Sequence, residues 1–227
     1  EQIRAGKGGI TCEPGLVFFA CNNHPHVTFR LLEGMGYGAW QAESEKWERW
    51  ALAGLRATAG GGAFRLVHHE KSGLSMPRGM PGFDGWCLLW YEPWASGPTN
   101  SRRLWRLAKK KINWDELLQA PVEQPERVEC SDCCNPVKVP TAATVSFLAA
   151  AARACGDNDA AERLETWLDH HFRKAERGRM WLATHREWRI GASANRFIAL
   201  AQARGSALRP MIRRPLPRNY FDGILLE

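Results

Sequence analysis

Two thiols nine positions apart carry the first readable chemistry, in Cys12-Glu13-Pro14-Gly15-Leu16-Val17-Phe18-Phe19-Ala20-Cys21-Asn22. Proline suits the first position of a helix, where its missing N–H has no intrahelical partner. Pro14 therefore predicts a helix start, with Glu13 as its cap and Cys12 just outside. Free N–H groups and the positive end of the macrodipole would favour a thiolate at Cys12. Cys21 stands seven residues after Pro14. On a helix that puts it on nearly the same face, about 10 Å further along. Both sulfurs could then line one pocket, too far apart for an unforced disulfide. A thiol can act as acid, base or nucleophile when its ionisation suits the task. The bland alternative is a pair of small, inert core residues.

The elements that must position these thiols follow from periodicity and punctuation. A helix over 14–34 is expected, broken or kinked by Pro25 near 23–26. A second helix over 38–56 carries Trp40, Trp47, Ala51 and Leu55 on one side, and Ala59-Gly60-Gly61-Gly62 ends it. Alternation at Phe64, Leu66 and His68, with Lys71-Ser72-Gly73 as the turn, predicts a hairpin over 63–74. An irregular Pro- and Gly-rich loop spans 75–82. A helix over 83–91 carries Trp86, Leu89 and Trp90. Basic helical sequence fills 99–118, and 121–140 is the least regular stretch. An Ala-rich helix over 141–155 stops at Gly156, and Asp157 caps the next, to about 174. A second hairpin is read at 180–187, and a last helix at 192–204. The organisation expected is a linker over 1–11, one helical domain over 12–209, and a Pro-rich tail over 210–227.

The motif resembles a known family. Cys-Glu-Pro at 12–14, Phe18, and Cys21-Asn22 are similar to the core motif of the linalool dehydratase/isomerase family. Gly62-Ala63-Phe64, His69 and Ser72-Gly73 resemble the hairpin after the family's next helix. Trp86 falls on a pocket tryptophan. Residues 145–156 and 157–168 resemble a late helix pair, and Arg209-Pro210-Met211 resembles the C-terminal end. The resemblance runs from about Cys12 to about Met211 and is patchy over 93–140.

That resemblance implies an all-α fold with short β-hairpins, an (α/α)6 barrel of which this chain supplies about half. About seven helices are read here, against twelve in a closed barrel of six helical hairpins. Half a toroid would expose apolar flanks. The expectation is that an N-terminal half on another chain or segment, or a second copy in a homo-oligomer, covers them. The implied activity is dehydration or isomerisation of an allylic terpenoid alcohol, a small hydrophobic substrate, without redox cofactor or metal. Cys12 and Cys21 become the pocket thiols. Cys21 is assigned proton transfer at the hydroxyl or a covalent role, and Cys12 the complementary transfer; the reverse order is open. Phe18 and Trp86 become walls whose π faces suit positive charge, with Asn22, Phe83 and His69 completing the substrate-binding set. The family's pocket tyrosine falls near Gly82-Phe83, where no Tyr stands. Asp84 follows and is either a substitute carboxylate or a first-turn helix residue. The family's remaining acid/base residues belong to the half before Cys12. Cyclisation on the same scaffold, or a non-catalytic toroid that binds a peptide or glycan, are the alternatives.

Composition bounds these readings. A chain of 227 residues holds one sizeable core. The net charge of +7 and pI of 9.2 come without a nucleic-acid module, so no nucleic-acid partner is expected. Lys109-Lys110-Lys111 reads as a solvated helix end. Eleven Trp hint at large apolar packing, and no run approaches a membrane span. The seven Cys are an odd number, so they cannot all pair within the chain. Cys130-Ser131-Asp132-Cys133-Cys134 holds a C-x-x-C that zinc would accept. A second ligand pair is missing, with His170-His171 distant, and no metal is expected. His24 and His26 flank Pro25 and could orient polar groups beside Cys21. Of His68 and His69 on a strand, at most one points inward. No secretory signal is visible, and a chain that starts at Glu1 assigns no compartment.

Overall fold

The computed structural model describes residues 8–54, 63–75, 81–112, 114, 142–177, 179–182, 209 and 212. Among them the chain is mostly helical with two short antiparallel pairs. Strand β1 (Leu16–Phe18) leads into α1 (Phe19–Gly34), then α2 (Gln41–Gly54), β2 (Val67–His69), α3 (Pro81–Tyr91) and α4 (Pro98–Lys111). Helices α5 (Ala142–Ala154) and α6 (Asn158–Phe172) follow, then β3 (Arg173–Glu176) and β4 (Arg179–Leu182). Two expected segments, the loop over 121–140 with its three cysteines and the helix over 192–204, lie outside the described residues.

The first helix begins at Phe19, not Pro14. Leu16 donates its N–H to the Glu13 carbonyl at 2.9 Å, and Gly15 holds φ at +72°. Proline second and a left-handed glycine third make a type II turn. Pro-Gly is a turn signal that outranks proline's suitability for a helix start. Pro25 does not break α1, which is helical through it. Its ring removes only the N–H that would reach the Cys21 carbonyl.

The predicted hairpin over 63–74 is realised differently. β2 pairs with β1, in the register Leu16↔His69, Val17↔His68 and Phe18↔Val67. The later chain folds back on β2 as well, through the His69 N–H to the Leu74 carbonyl at 2.8 Å and a bridge from His68 to Ser75. A hairpin joins Arg173–Glu176 to Arg179–Leu182; residues 183–187 of the one read at 180–187 lie outside the described residues. The hairpin therefore cuts α6 at Phe172.

The core has an aromatic centre. Phe19 packs on Phe64 at 4.1 Å between ring centroids, on Trp47 at 5.2 Å and on Tyr91 at 5.8 Å. Helix α4 buries Ser101, Leu104, Trp105 and Ala108, the three- and four-residue spacing of one apolar stripe. Helix α3 meets α5 most intimately at Gly85, where an added Cβ would lie 2.8 Å from the Leu148 nitrogen. Only a glycine lets the two backbones come that close. Asp157 caps α6 as expected, accepting the Ala160 N–H at 3.2 Å. It also holds Trp105 and Lys109 of α4, each at 2.8 Å. Arg209 ties the later chain to the end of α3, through the Glu92 carboxylate at 2.6 Å and the Glu92 carbonyl.

Candidate active site at the thiol motif

The type II turn sets Cys12 before β1 and Cys21 after it. The Cys12 N–H reaches the Leu16 carbonyl at 3.0 Å, so Cys12 stands at the entry to the strand, exposed. Cys21 is the third residue of α1 and half-buried. The two thiols therefore do not share a helix face as the spacing had suggested; they bracket a three-residue strand. The helix N-terminus passes from one to the other. Phe18 is the N-cap of α1, offers no side-chain hydrogen bond, and no acidic residue occupies the first turn. The N-terminal turn of α1 thus lies at Cys21 and not at Cys12.

The strand pairing gathers two predicted site residues. Directly opposed residues of an antiparallel pair point to the same side. Phe18 and His69 thus share one face with Leu16 and Val67, while His68 goes with buried Val17 to the other. His69 is fixed by Ser72, whose hydroxyl lies 2.8 Å and whose backbone N–H lies 3.2 Å from Nδ1. An Nδ1 that accepts the Ser72 N–H leaves the neutral ring's proton on Nε2. That nitrogen faces the Pro14-Gly15 turn, 3.7 Å from where a Gly15 Cβ would stand.

Asn22 is buried and clamps the incoming chain. It accepts the Ile10 N–H at 2.7 Å and donates to the Ile10 and Phe18 carbonyls at 3.0 and 2.9 Å. Its amide is committed to holding residue 10 against the start of α1. Asn23 does the equivalent inside, donating to the Cys87 carbonyl and accepting the Trp94 indole N–H, both at 3.1 Å.

Asp84 is 1% exposed. Its two oxygens accept the Ala63 and Phe64 N–H groups at 2.7 and 2.9 Å. Burial pushes its carboxyl up to about 7, against the opposing pull of those two hydrogen bonds. Its geometry is that of a group anchoring the approach to β2. Phe83 is a core residue of the Phe19 cluster. Trp86 is half-buried and stacks on Phe147 of α5 at 5.7 Å. The predicted residues therefore divide into a group around β1 (Cys12, Phe18, Cys21, Asn22, His69) and a group on α3 (Phe83, Asp84, Trp86).

A buried polar cluster between α1, α2 and α3 escaped the sequence reading. Tyr91 donates its hydroxyl to Glu48, which also accepts the Ser96 N–H at 3.3 Å. Burial, then the Glu48 charge, push the Tyr91 phenol well above its ordinary range. His26 is fully buried. It stacks on Trp94 at 4.5 Å and meets the Ser44 hydroxyl at 2.9 Å. Burial and then Arg30 push its imidazole down to about 3, so it stays neutral in ordinary buffers. One signal was present: Ser44, Glu48 and Ala51 share the spacing of the Trp47 face, putting an acid on an apolar stripe.

Among the described residues no three His, Cys, Asp or Glu side chains gather as a metal site. Cys130, Cys133 and Cys134 lie outside them. No helix among the described residues is long and apolar enough to cross a membrane.

These features define a helical protein that presents two thiols at the ends of one short strand, backed by an aromatic core. The linalool dehydratase/isomerase family matches residues 2–188, and the chain belongs to that family. Its function is accordingly dehydratase/isomerase-like at the family level. A search of curated proteins finds no match.

Proposed function

We propose that the chain is a hydro-lyase/isomerase for an allylic terpenoid-type alcohol, working through Cys12 and Cys21 without a redox cofactor or metal. The observation that carries this reading is the position of Cys21 in the first turn of α1, within a chain of this family.

Hydroxide is a poor leaving group, so the hydroxyl must be protonated as the C–O bond breaks. Cys21 donates that proton, water leaves, and an allylic cation forms. The thiolate left behind sits where the helix end favours negative charge. Cys12 takes a proton from the carbon next to the cation, which gives the diene. Net, alcohol becomes diene plus water, and one proton has passed between the thiols through the substrate. Return of water to the other end of the allylic system gives the isomerised alcohol instead. Phe18 and Trp86 supply aromatic faces for the cation, and the His69 ring stands beside the Pro14-Gly15 turn that follows Cys12. Asn22, Phe83 and Asp84 position these groups; the carboxylate of Asp84 is engaged by backbone and fixes residues 63 and 64. We assign the described helices to part of an α/α toroid. A further segment or a second copy completes the cavity.

The test is gas chromatography–mass spectrometry of the reduced protein with a panel of allylic terpene alcohols, beside Cys21→Ala and Cys12→Ala. A diene or rearranged alcohol from the wild type alone supports the reading. Unchanged turnover in either variant that folds normally removes that thiol from the mechanism.

A further inference from the structure

The exposed side of α4 is the most one-signed surface among the described residues. Pro98–Lys111 contains no Asp or Glu. Its buried stripe is Ser101, Leu104, Trp105 and Ala108, and opposite stand Arg102, Arg103, Arg106 and Lys110, all exposed. Arg103, Arg106 and Lys110 recur at helical spacing and so project from one strip of the helix. Lys109 is the flanking exception, held by Asp157 at 2.8 Å.

This strip is not uniformly polar. Leu107 is 40% exposed among the cations. A surface concavity of about 590 Å³ is lined by Arg103, Arg106, Leu107, Lys109, Lys110 and Trp114. The Trp114 indole is pinned to the Lys109 carbonyl at 3.2 Å. Its ring lies 5.4 Å under the Arg163 guanidinium. Cations around a shallow apolar floor, with a tryptophan at the rim, match the border between anionic headgroups and acyl chains. Nucleic acid fits less well. Its one aromatic ring is already covered by Arg163, which leaves no open face on which a base could stack.

We propose that the exposed face of α4 docks the protein onto a bilayer bearing anionic lipid headgroups. Arg103, Arg106 and Lys110 meet the phosphates, and Leu107 reaches the apolar layer below. The docking is peripheral and reversible, because the helix keeps its apolar stripe in the protein core.

The test is sedimentation of the full chain with vesicles of phosphatidylcholine alone, or of phosphatidylcholine and phosphatidylglycerol in equal parts. Binding is expected only to the second, and to weaken with added salt. The triple variant R103E/R106E/K110E should bind roughly a hundredfold more weakly. Leu107→Ser should bind several-fold more weakly, with no change in salt dependence. A control, K46E/R49E/K71E, changes net charge equally at exposed residues elsewhere and should bind as the wild type does. All these residues are exposed, so unchanged circular dichroism is expected for every variant. The proposal fails if anionic vesicles capture no protein, or if both triple variants lose binding alike. It also fails if single-stranded RNA binds more tightly than the vesicles do and the patch variant loses that binding.

Discussion

Asp84 accepts the backbone N–H of Phe64 at 2.9 Å from the first turn of α3, across 20 residues of chain. With its second bond to Ala63, it fixes the segment that leads into β2, and β2 in turn supports the strand between the thiols.

That anchoring has a pH signature. Burial raises the Asp84 carboxyl from 3.8 to about 7, so the folded state binds its proton more tightly than the unfolded chain. Below about 4 the group contributes no pH dependence. As pH rises from about 4 to 7, the unfolded chain ionises first and stability falls; above 7 the loss is complete. Asp84→Asn should remove this slope. It should also cost about 1–3 kcal/mol, because an amide N–H replaces one of the two acceptors. Urea unfolding at several pH values reads both effects, and an unchanged slope in Asp84→Asn would refute the assignment.

Thiol exposure orders chemical labelling. Cys12 is exposed, Cys21 half-buried, and Cys87 and Cys155 buried. Burial also pushes the Cys155 thiol upward. Among these four, brief treatment with iodoacetamide, followed by peptide mapping, should modify Cys12 first and Cys21 next. Cys87 and Cys155 should react only on unfolding. Early loss of either buried thiol would contradict the packing described.

The crossing of α3 and α5 is a steric prediction. Gly85→Ala would set a methyl group 2.8 Å from backbone atoms of Phe147 and Leu148, which cannot move aside as a side chain can. Overpacking of this kind costs about 1–3 kcal/mol, so the melting temperature should fall by several degrees. The Trp86–Phe147 stack should loosen with it, seen as a change in tryptophan fluorescence. A variant as stable as the wild type would mean that the helices are further apart.

Tyr91 and Glu48 form a coupled pair. Tyr91→Phe leaves a buried carboxylate without its phenol donor and should cost about 1–3 kcal/mol. In a double-mutant cycle with Glu48→Gln the two losses should not add. An alkaline titration followed by ultraviolet absorbance reads the Tyr91 phenol directly. Tyr91 should resist until the fold gives way. Additive losses in the cycle would mean that the pair does not interact.

Much of the helical layout was legible, because α2, α3, α5 and α6 carry clear periodicity and stops. Gly156 and Asp157 announce their own junction. What failed was local signal with two meanings. Pro14-Gly15 reads as a helix start if the proline is weighed alone, and as a type II turn once the glycine is read with it. The pairing of β1 with β2 was invisible, since three-residue strands are too short to show alternation and their partnership spans about fifty positions. The motif residues around the thiols were found by resemblance. Their geometry, and the burial of Glu48 and His26, depend on tertiary contacts that no window of sequence contains.

The ladder between Leu16–Phe18 and Val67–His69 has a kinetic consequence. The loop it closes includes all of α1 and α2, so its closure entropy is met only when the intervening helices have compacted. A peptide with both Cys12 and Cys21 but lacking β2 has nothing to hold the strand between them extended. The spacing of the two sulfurs is therefore set late in folding, as a property of the assembled chain, and an unfinished molecule presents two unrelated thiols.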